Sequence, residues 1–271
     1  MIGVFDSGIG GLSVLAAIAR ALPHADLLYL ADSAHLPYGS KSDDFIRGRV
    51  LSIGRHLAAL GCGTIVVACN TATAAAVDAL RDALPEIGVV GVEPGIKPAA
   101  ASSQSRRIAV LATESTARSA GLARLIRAHA GAVTVHVEAC PGWATQVETL
   151  HLDEAGFAAQ VGEKIIPLLD AGADRLVLGC THYTFLAPLF EPLLAGRAEL
   201  VDVAAAVARQ VVRMSGQEEY GKALDNGRLD LLATAAPERL QAALPALGLD
   251  WLMQRCNGAA RLATVPPIMS P

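Results

Sequence analysis

Two apolar runs in this chain end in a cysteine followed at once by hydroxyl, amide or imidazole side chains: Thr64-Ile-Val-Val-Ala-Cys69-Asn70-Thr71 and Asp174-Arg-Leu-Val-Leu-Gly-Cys180-Thr181-His182. A thiol titrates at about pH 8.5 when unperturbed and is lowered by helix N-termini and hydrogen-bond donors. One such group can act as base and the other as acid. Placed on opposite faces of one carbon, the pair can remove a proton from one side and return one from the other, which inverts configuration. Either cysteine alone reads equally as a small buried hydrophobe at a strand end. Two with matching polar followers favour chemistry.

Each run of four or five apolar residues predicts a buried parallel strand, and open α/β sheets bind ligands beyond the carboxyl ends of such strands. Strand-like segments at 2–5, 27–30, 64–68 and 89–92 alternate with amphipathic stretches near 11–22, 43–61 and 72–84, an α/β pattern. A stretch bearing Pro and Ser at 93–105 breaks the rhythm and predicts a crossing between domains. The pattern then restarts, with strands at 108–112, 133–137, 175–179 and 199–202 and helices near 117–130, 153–171 and 184–195.

The restart reads as a diverged repeat. Ile2-Gly-Val-Phe-Asp6-Ser7 and Ile108-Ala-Val-Leu-Ala-Thr113 both run from strand to polar loop, and they are displaced by nearly the same distance as the two cysteines. The expected fold is therefore two similar α/β domains with mainly parallel sheets, related by a pseudo-twofold axis, with the active site in the interdomain cleft. The expected boundaries are 1–95 plus 206–271 for the first domain and 96–205 for the second. The C-terminal part, with a helical stretch, a strand at 229–233 and a helix near 237–247, returns to the first domain.

Composition narrows the function class. The chain has 271 residues, 52% of them hydrophobic but only 4% aromatic, so its cores are aliphatic and Ala-rich. A formal charge of −4 with scattered basic residues gives no footprint for nucleic acid. No apolar stretch reaches membrane-spanning length, and the N-terminus enters a strand without a leader pattern, so a soluble, cytoplasmic protein is expected. Five cysteines (Cys62, Cys69, Cys140, Cys180, Cys256) form no disulfide framework. Cys62, Cys140 and Cys256 read as packed thiols.

Four blocks carry a family resemblance: Val4-Phe-Asp6-Ser7-Gly8-Ile-Gly10-Gly11-Leu-Ser-Val, Leu36-Pro37-Tyr38-Gly39-Ser40-Lys-Ser, Val66-Val-Ala-Cys69-Asn70-Thr71-Ala-Thr and Leu178-Gly-Cys180-Thr181-His182-Tyr183. In this order they resemble the signature blocks of the glutamate racemases, cofactor-independent enzymes that supply D-glutamate for peptidoglycan. The segment Thr234-Ala-Ala-Pro237-Glu-Arg-Leu240 resembles the family's C-terminal segment more loosely. The resemblance implies that Cys69 and Cys180 are the catalytic thiols, that Asp6 and His182 assist them, and that Glu148 is a further acidic helper. A carboxylate beside a thiol raises its pKa, whereas a protonated histidine lowers it. Ser7, Pro37, Tyr38, Gly39, Asn70, Thr71, Thr116 and Thr181 match positions lining the substrate pocket, where neutral donors can hold two carboxylates. The glycines Gly8, Gly10 and Gly11 lack the spacing of a nucleotide loop and suggest close approach of backbone to a substrate carboxylate.

The resemblance further implies L- and D-glutamate as ligands, no cofactor or metal, and a homodimer; some relatives also inhibit DNA gyrase. Two other readings stay open. One is a racemase for aspartate or a related amino acid, against which the Pro37-Tyr38-Gly39 block argues. The other is a non-catalytic regulatory relative, against which the presence of both thiols argues. A metal site from Cys69, Cys180 and His182 fits no compact zinc spacing.

Overall fold

The structure, a computed structural model, describes residues 1–152, 155–216 and 227–267. It divides into two compact units, Met1–Val92 with Ala204–Pro271, and Glu93–Val203. Each has its own parallel sheet.

In the first unit β1 (Ile2–Asp6) lies between β2 (Leu27–Ala31) and β3 (Thr64–Val67), and β4 (Gly88–Gly91) adds beyond β3. Every residue of β1, β2 and β3 is buried, which is why these strands read as unbroken apolar runs and not as alternating ones. The C-terminal part supplies β9 (Leu229–Ala233) and the two-residue β10 (Arg261–Leu262), giving the order β10-β9-β2-β1-β3-β4. Helix α1 (Leu12–Ala21) buries Leu12, Leu15 and Ile18, each burial contributing about 1.5–3 kcal/mol. Helix α2 (Asp43–Ala59) starts where the Ser42 hydroxyl accepts from the Phe45 amide, with Asp43 and Asp44 favourably placed in its first turn. Helix α3 (Asn70–Ala83) begins directly after Cys69.

The second unit repeats the order. β5 (Arg107–Ala112) lies between β6 (Thr134–Ala139) and β7 (Arg175–Leu178), and β8 (Glu199–Val201) lies beyond β7. Substituting β5 for β1, β6 for β2, β7 for β3 and β8 for β4 gives the core of the first sheet, all strands parallel. In both sheets the strand order reverses beside the first strand, the switch point at which such sheets place ligands.

Local departures from the sequence reading have identifiable causes. Residues 93–105, expected as a linker, contain α4 (Ile96–Ser102), whose Ile96 and Ala99 are buried. The stretch expected as one helix at 117–130 is two, α5 (Glu114–Arg118) and α6 (Ala120–His129), because Ser119 is extended and its hydroxyl caps α6 through the Leu122 amide. The short helix α7 (Trp143–Glu148) was unforeseen. Helix α8 spans Ala155–Asp170; residues 153 and 154 of the expected stretch lie outside the described residues. Cys180 leads into a 3-10 helix, Thr181–Leu186, and only then into α9 (Ala187–Leu194). Helices α10 (Ala204–Ser215) and α11 (Pro237–Ala246) belong to the first unit. No described helix is long and apolar enough to cross a membrane.

Candidate active site

The first unit assembles a thiol, a hydroxyl and a carboxylate at the switch point of its sheet. Asp6 ends β1 fully buried, and its Oδ1 accepts from the Ser7 amide at 2.6 Å and the Ser7 hydroxyl at 3.2 Å. Cys69 follows β3, the adjacent strand, and its Sγ lies 3.9 Å from Ser7 Oγ. With the Ser7 hydrogen directed at Asp6, Ser7 Oγ is left to accept from the Cys69 thiol, giving the order thiol, hydroxyl, carboxylate. Cys69 takes the N-cap position of α3 with extended backbone, and its side chain does not cap the helix. Asn70 and Thr71 open that helix, buried, and the Asn70 Oδ1 has no hydrogen-bond partner.

Gly11 allows this close assembly. A Cβ there would stand 2.8 Å from Asp6 Cβ and 3.0 Å from Ala68 Cβ. The glycine is therefore required by packing at the site, a cause the sequence reading had given to a ligand carboxylate. Tyr29 from β2 fixes the same loop by donating to the Gly8 carbonyl at 2.6 Å.

Pro37 and Gly39 flank Tyr38, which is buried in the cluster that contains Cys69 and Ala72. The Tyr38 hydroxyl is occupied, donating to Asp32 Oδ2 at 2.6 Å. Burial and the neighbouring Asp32 carboxylate push this phenol above its ordinary value. It stays protonated.

In the second unit, Gly179 and Cys180 follow β7. A Cβ on Gly179 would lie 2.8 Å from the Leu111 carbonyl of β5, so only glycine permits this approach. His182 turns back beside the sulfur, with Nδ1 3.5 Å from Cys180 Sγ and Nε2 2.5 Å from Glu148 Oε1. Burial alone would disfavour a charged imidazole, but Cys180 and Glu148 outweigh it and raise the His182 pKa well above 6.5. In that charged form both ring nitrogens donate, one to each neighbour.

Glu148 is placed by a chain of local causes. Gly142, at φ 82°, starts α7 in a left-handed conformation that favours glycine. Trp143 then packs against Phe157, Tyr183 and Phe190 at ring-centroid separations of 6.2, 5.5 and 5.8 Å, anchoring the helix whose last residue is Glu148. Tyr183 also donates to the Cys140 carbonyl at 3.1 Å, tying the segment after Cys180 to the start of that turn. Thr116, after β5, is buried and bonded to Thr113 through both its amide and its hydroxyl; Thr181 is buried beside His182.

The other cysteines differ. Burial raises Cys62 to about 11; burial and Glu138 raise Cys140 to about 12. Both are packed thiols. Cys256 is only partly buried, contrary to the sequence reading, and its Sγ donates to the Leu252 carbonyl. Among the described residues no group of three or more His, Cys, Asp or Glu could hold a metal ion. The sequence reading missed Asp32 and Arg49, which hold the Tyr38 segment. The one available signal was a carboxylate immediately after the apolar run 27–31.

Residues 2–211 match the model of the Asp/Glu/Hydantoin racemase family. The chain belongs to this family. A glutamate racemase of Ectopseudomonas mendocina is 45% identical over 91% of this chain and 94% of its own. Among solved structures, a glutamate racemase isoform from Bacillus anthracis superposes with a TM-score of 0.82 at 29% identity, covering 99% of this chain and 98% of that one. The Escherichia coli glutamate racemase, solved with L-glutamate and the activator UDP-MurNAc-ala, gives a TM-score of 0.74 at 30% identity over 91% of this chain and 94% of that one. The protein is an amino-acid racemase, with the two-sheet α/β fold of this family.

Proposed function

We propose that this racemase interconverts L- and D-glutamate without a cofactor and so supplies D-glutamate for peptidoglycan, with Cys69 and Cys180 as the two acid–base groups. The observation that carries the reading is the repeated placement of a thiol after the third strand of each sheet, each backed by a carboxylate through one polar residue: Ser7 to Asp6 for Cys69, His182 to Glu148 for Cys180. The relatives named glutamate racemase support glutamate as the substrate.

In the forward direction the Cys180 thiolate takes the Cα hydrogen of L-glutamate as a proton, and the C–H electron pair passes into the adjoining carboxylate. The Cys69 thiol then delivers a proton to the other face, giving D-glutamate and a Cys69 thiolate. The reverse reaction uses the same groups in opposite order. Asp6 and His182 assist at the two sulfurs, and Glu148 keeps the imidazole oriented. Ser7, Asn70, Thr71, Thr116 and Thr181, with backbone at Pro37, Tyr38 and Gly39, hold the substrate carboxylates through neutral groups. Neutral donors add no competing charge beside the thiols.

The test is isotopic. In D₂O, early D-glutamate formed from protiated L-glutamate should carry deuterium at Cα while unreacted L-glutamate stays protiated, because the proton removed and the proton delivered reside on different sulfurs. Substantial retention of the original hydrogen in first-turnover product would overturn the two-thiol assignment.

A further inference from the structure

One buried charge cluster lies outside the groups given to chemistry. Asp32 follows β2 and is fully buried. Its Oδ1 accepts from Arg49 Nη2 at 2.7 Å and the Thr234 hydroxyl at 2.9 Å, and lies 3.0 Å from His35 Nδ1. Its Oδ2 accepts from Arg49 Nε at 3.0 Å and the Tyr38 hydroxyl at 2.6 Å. Its amide donates to the Asp6 carbonyl at 2.9 Å. A single carboxylate thus joins the end of β2, helix α2, the turn after β9 and residues 36–40. The bidentate Arg49 contact fixes the plane of the carboxylate, and that plane fixes where the Tyr38 phenol can end.

We propose that the Asp32–Arg49 pair is the positioning device for residues 37–39, holding the Tyr38 ring against Cys69 and thereby setting the backbone that receives a substrate carboxylate. This rests on the reading of Pro37, Tyr38 and Gly39 as pocket lining. The geometry favours positioning over a merely structural role in one respect. The phenol contributes no free donor, since it is spent on Asp32, so what it can offer the proposed pocket is its ring, in the same buried cluster as Cys69, and the backbone beside it. Asp32 and Arg49 act only through that segment. A fully buried carboxylate paired with a partly buried guanidinium is a costly way to stabilise a fold, whereas a bidentate pair specifies a position well.

The experiment compares Tyr38→Phe and Asp32→Asn with Val211→Ala, a buried apolar truncation in α10 that controls for lost stability. Two readouts are taken: kcat and KM for both enantiomers, and the rate of Cys69 alkylation by iodoacetamide, mapped by mass spectrometry. Tyr38→Phe should raise KM for both enantiomers about tenfold with kcat within about threefold, the pattern of lost uniform binding. It should also speed Cys69 alkylation. Asp32→Asn should do both more strongly, and Val211→Ala neither. Wild-type KM in Tyr38→Phe and Asp32→Asn, with or without faster alkylation, would overturn the proposal. A fall in kcat at unchanged KM would do so too, by placing the phenol in the chemistry, and so would equal changes in Val211→Ala. Alkylation needs no turnover. A protein that did not racemise glutamate would therefore refute the proposed activity while the effect of the clasp on Cys69 could still be read.

Discussion

Cys69 and Cys180 occupy the same place in two sheets whose four core strands follow the same order, yet their neighbours differ in kind. Beside Cys69 the intermediary is a serine hydroxyl supplied by the adjacent strand's loop; beside Cys180 it is an imidazole two residues on, oriented by a carboxylate from a separate helix. A hydroxyl relays a hydrogen bond but holds no charge at neutral pH, whereas an imidazole can hold one. A repeated fold therefore fixes where a thiol stands. The loops decide how it is tuned, and of these two intermediaries the one that can hold a charge stands beside Cys180.

The largest expected effect would erase the comparison. Cys69→Ala and Cys180→Ala should each lower kcat/KM by at least the ~10²–10⁴-fold associated with a lost acid–base group. Near-normal turnover in either variant would remove that cysteine from the mechanism. Because the two enantiomers are equal in free energy, kcat/KM must fall equally in both directions. Asymmetry between the halves has to be sought elsewhere.

It should appear in the substrate deuterium isotope effect. Glu148→Gln keeps a hydrogen-bonding side chain beside His182 but removes the charge, and should cost on the order of 10–100-fold, by analogy with carboxylates that orient metal-bound imidazoles. In the proposed mechanism Cα-deuterated L-glutamate gives its deuteron to Cys180, so the isotope effect should grow for this enantiomer and stay close to wild type for the D-enantiomer. Equal growth in both directions would show that Glu148 does not act through Cys180 alone.

Alkylation sharpens the contrast between the two proposed acid–base thiols and the packed ones. At neutral pH iodoacetamide should modify Cys69 and Cys180 ahead of Cys62 and Cys140, whose pKa values are raised to about 11 and about 12. Glutamate at about ten times its Kd should slow modification of both Cys69 and Cys180 about tenfold, by simple occupancy. Protection of only one would mean that the ligand does not cover both sulfurs.

The parts of this arrangement that were legible in the sequence are those encoded by contiguous residues. The strand ending in Asp6 and those leading to Cys69 and Cys180 are buried on both faces, so their apolar runs stand out from their surroundings. His182 was legible because it lies two positions from Cys180. The Asp32 cluster was not, since its donors come from residues 35, 38, 49 and 234 and no periodicity links them. Helix α7 was missed for a related reason. Its six residues are too few for a 3.6-residue period to show, and it is held by Trp143 among distant aromatic rings. The break at Ser119 was hidden by propensity, because Ala and Arg on both sides of it and Leu after it favour helix.

The smallest expected effect lies in stability, and its sign follows from His182. The folded-state pKa of this group is raised above the ordinary 6.5 by Cys180 and Glu148 against the opposing effect of burial. A group with a raised folded pKa contributes stability that is fully present below its unfolded value and is lost as the pH rises through its folded one. His182→Gln keeps a hydrogen-bonding side chain next to Glu148 but cannot take up the proton. The Tm of the wild type should therefore exceed that of His182→Gln most clearly below pH 6.5, and the gap should close as the pH is raised into the alkaline range. A gap that is constant with pH, or that widens, would mean that the imidazole is neutral in the folded protein. The Cys180 half would then lack the charge that distinguishes it from the Cys69 half.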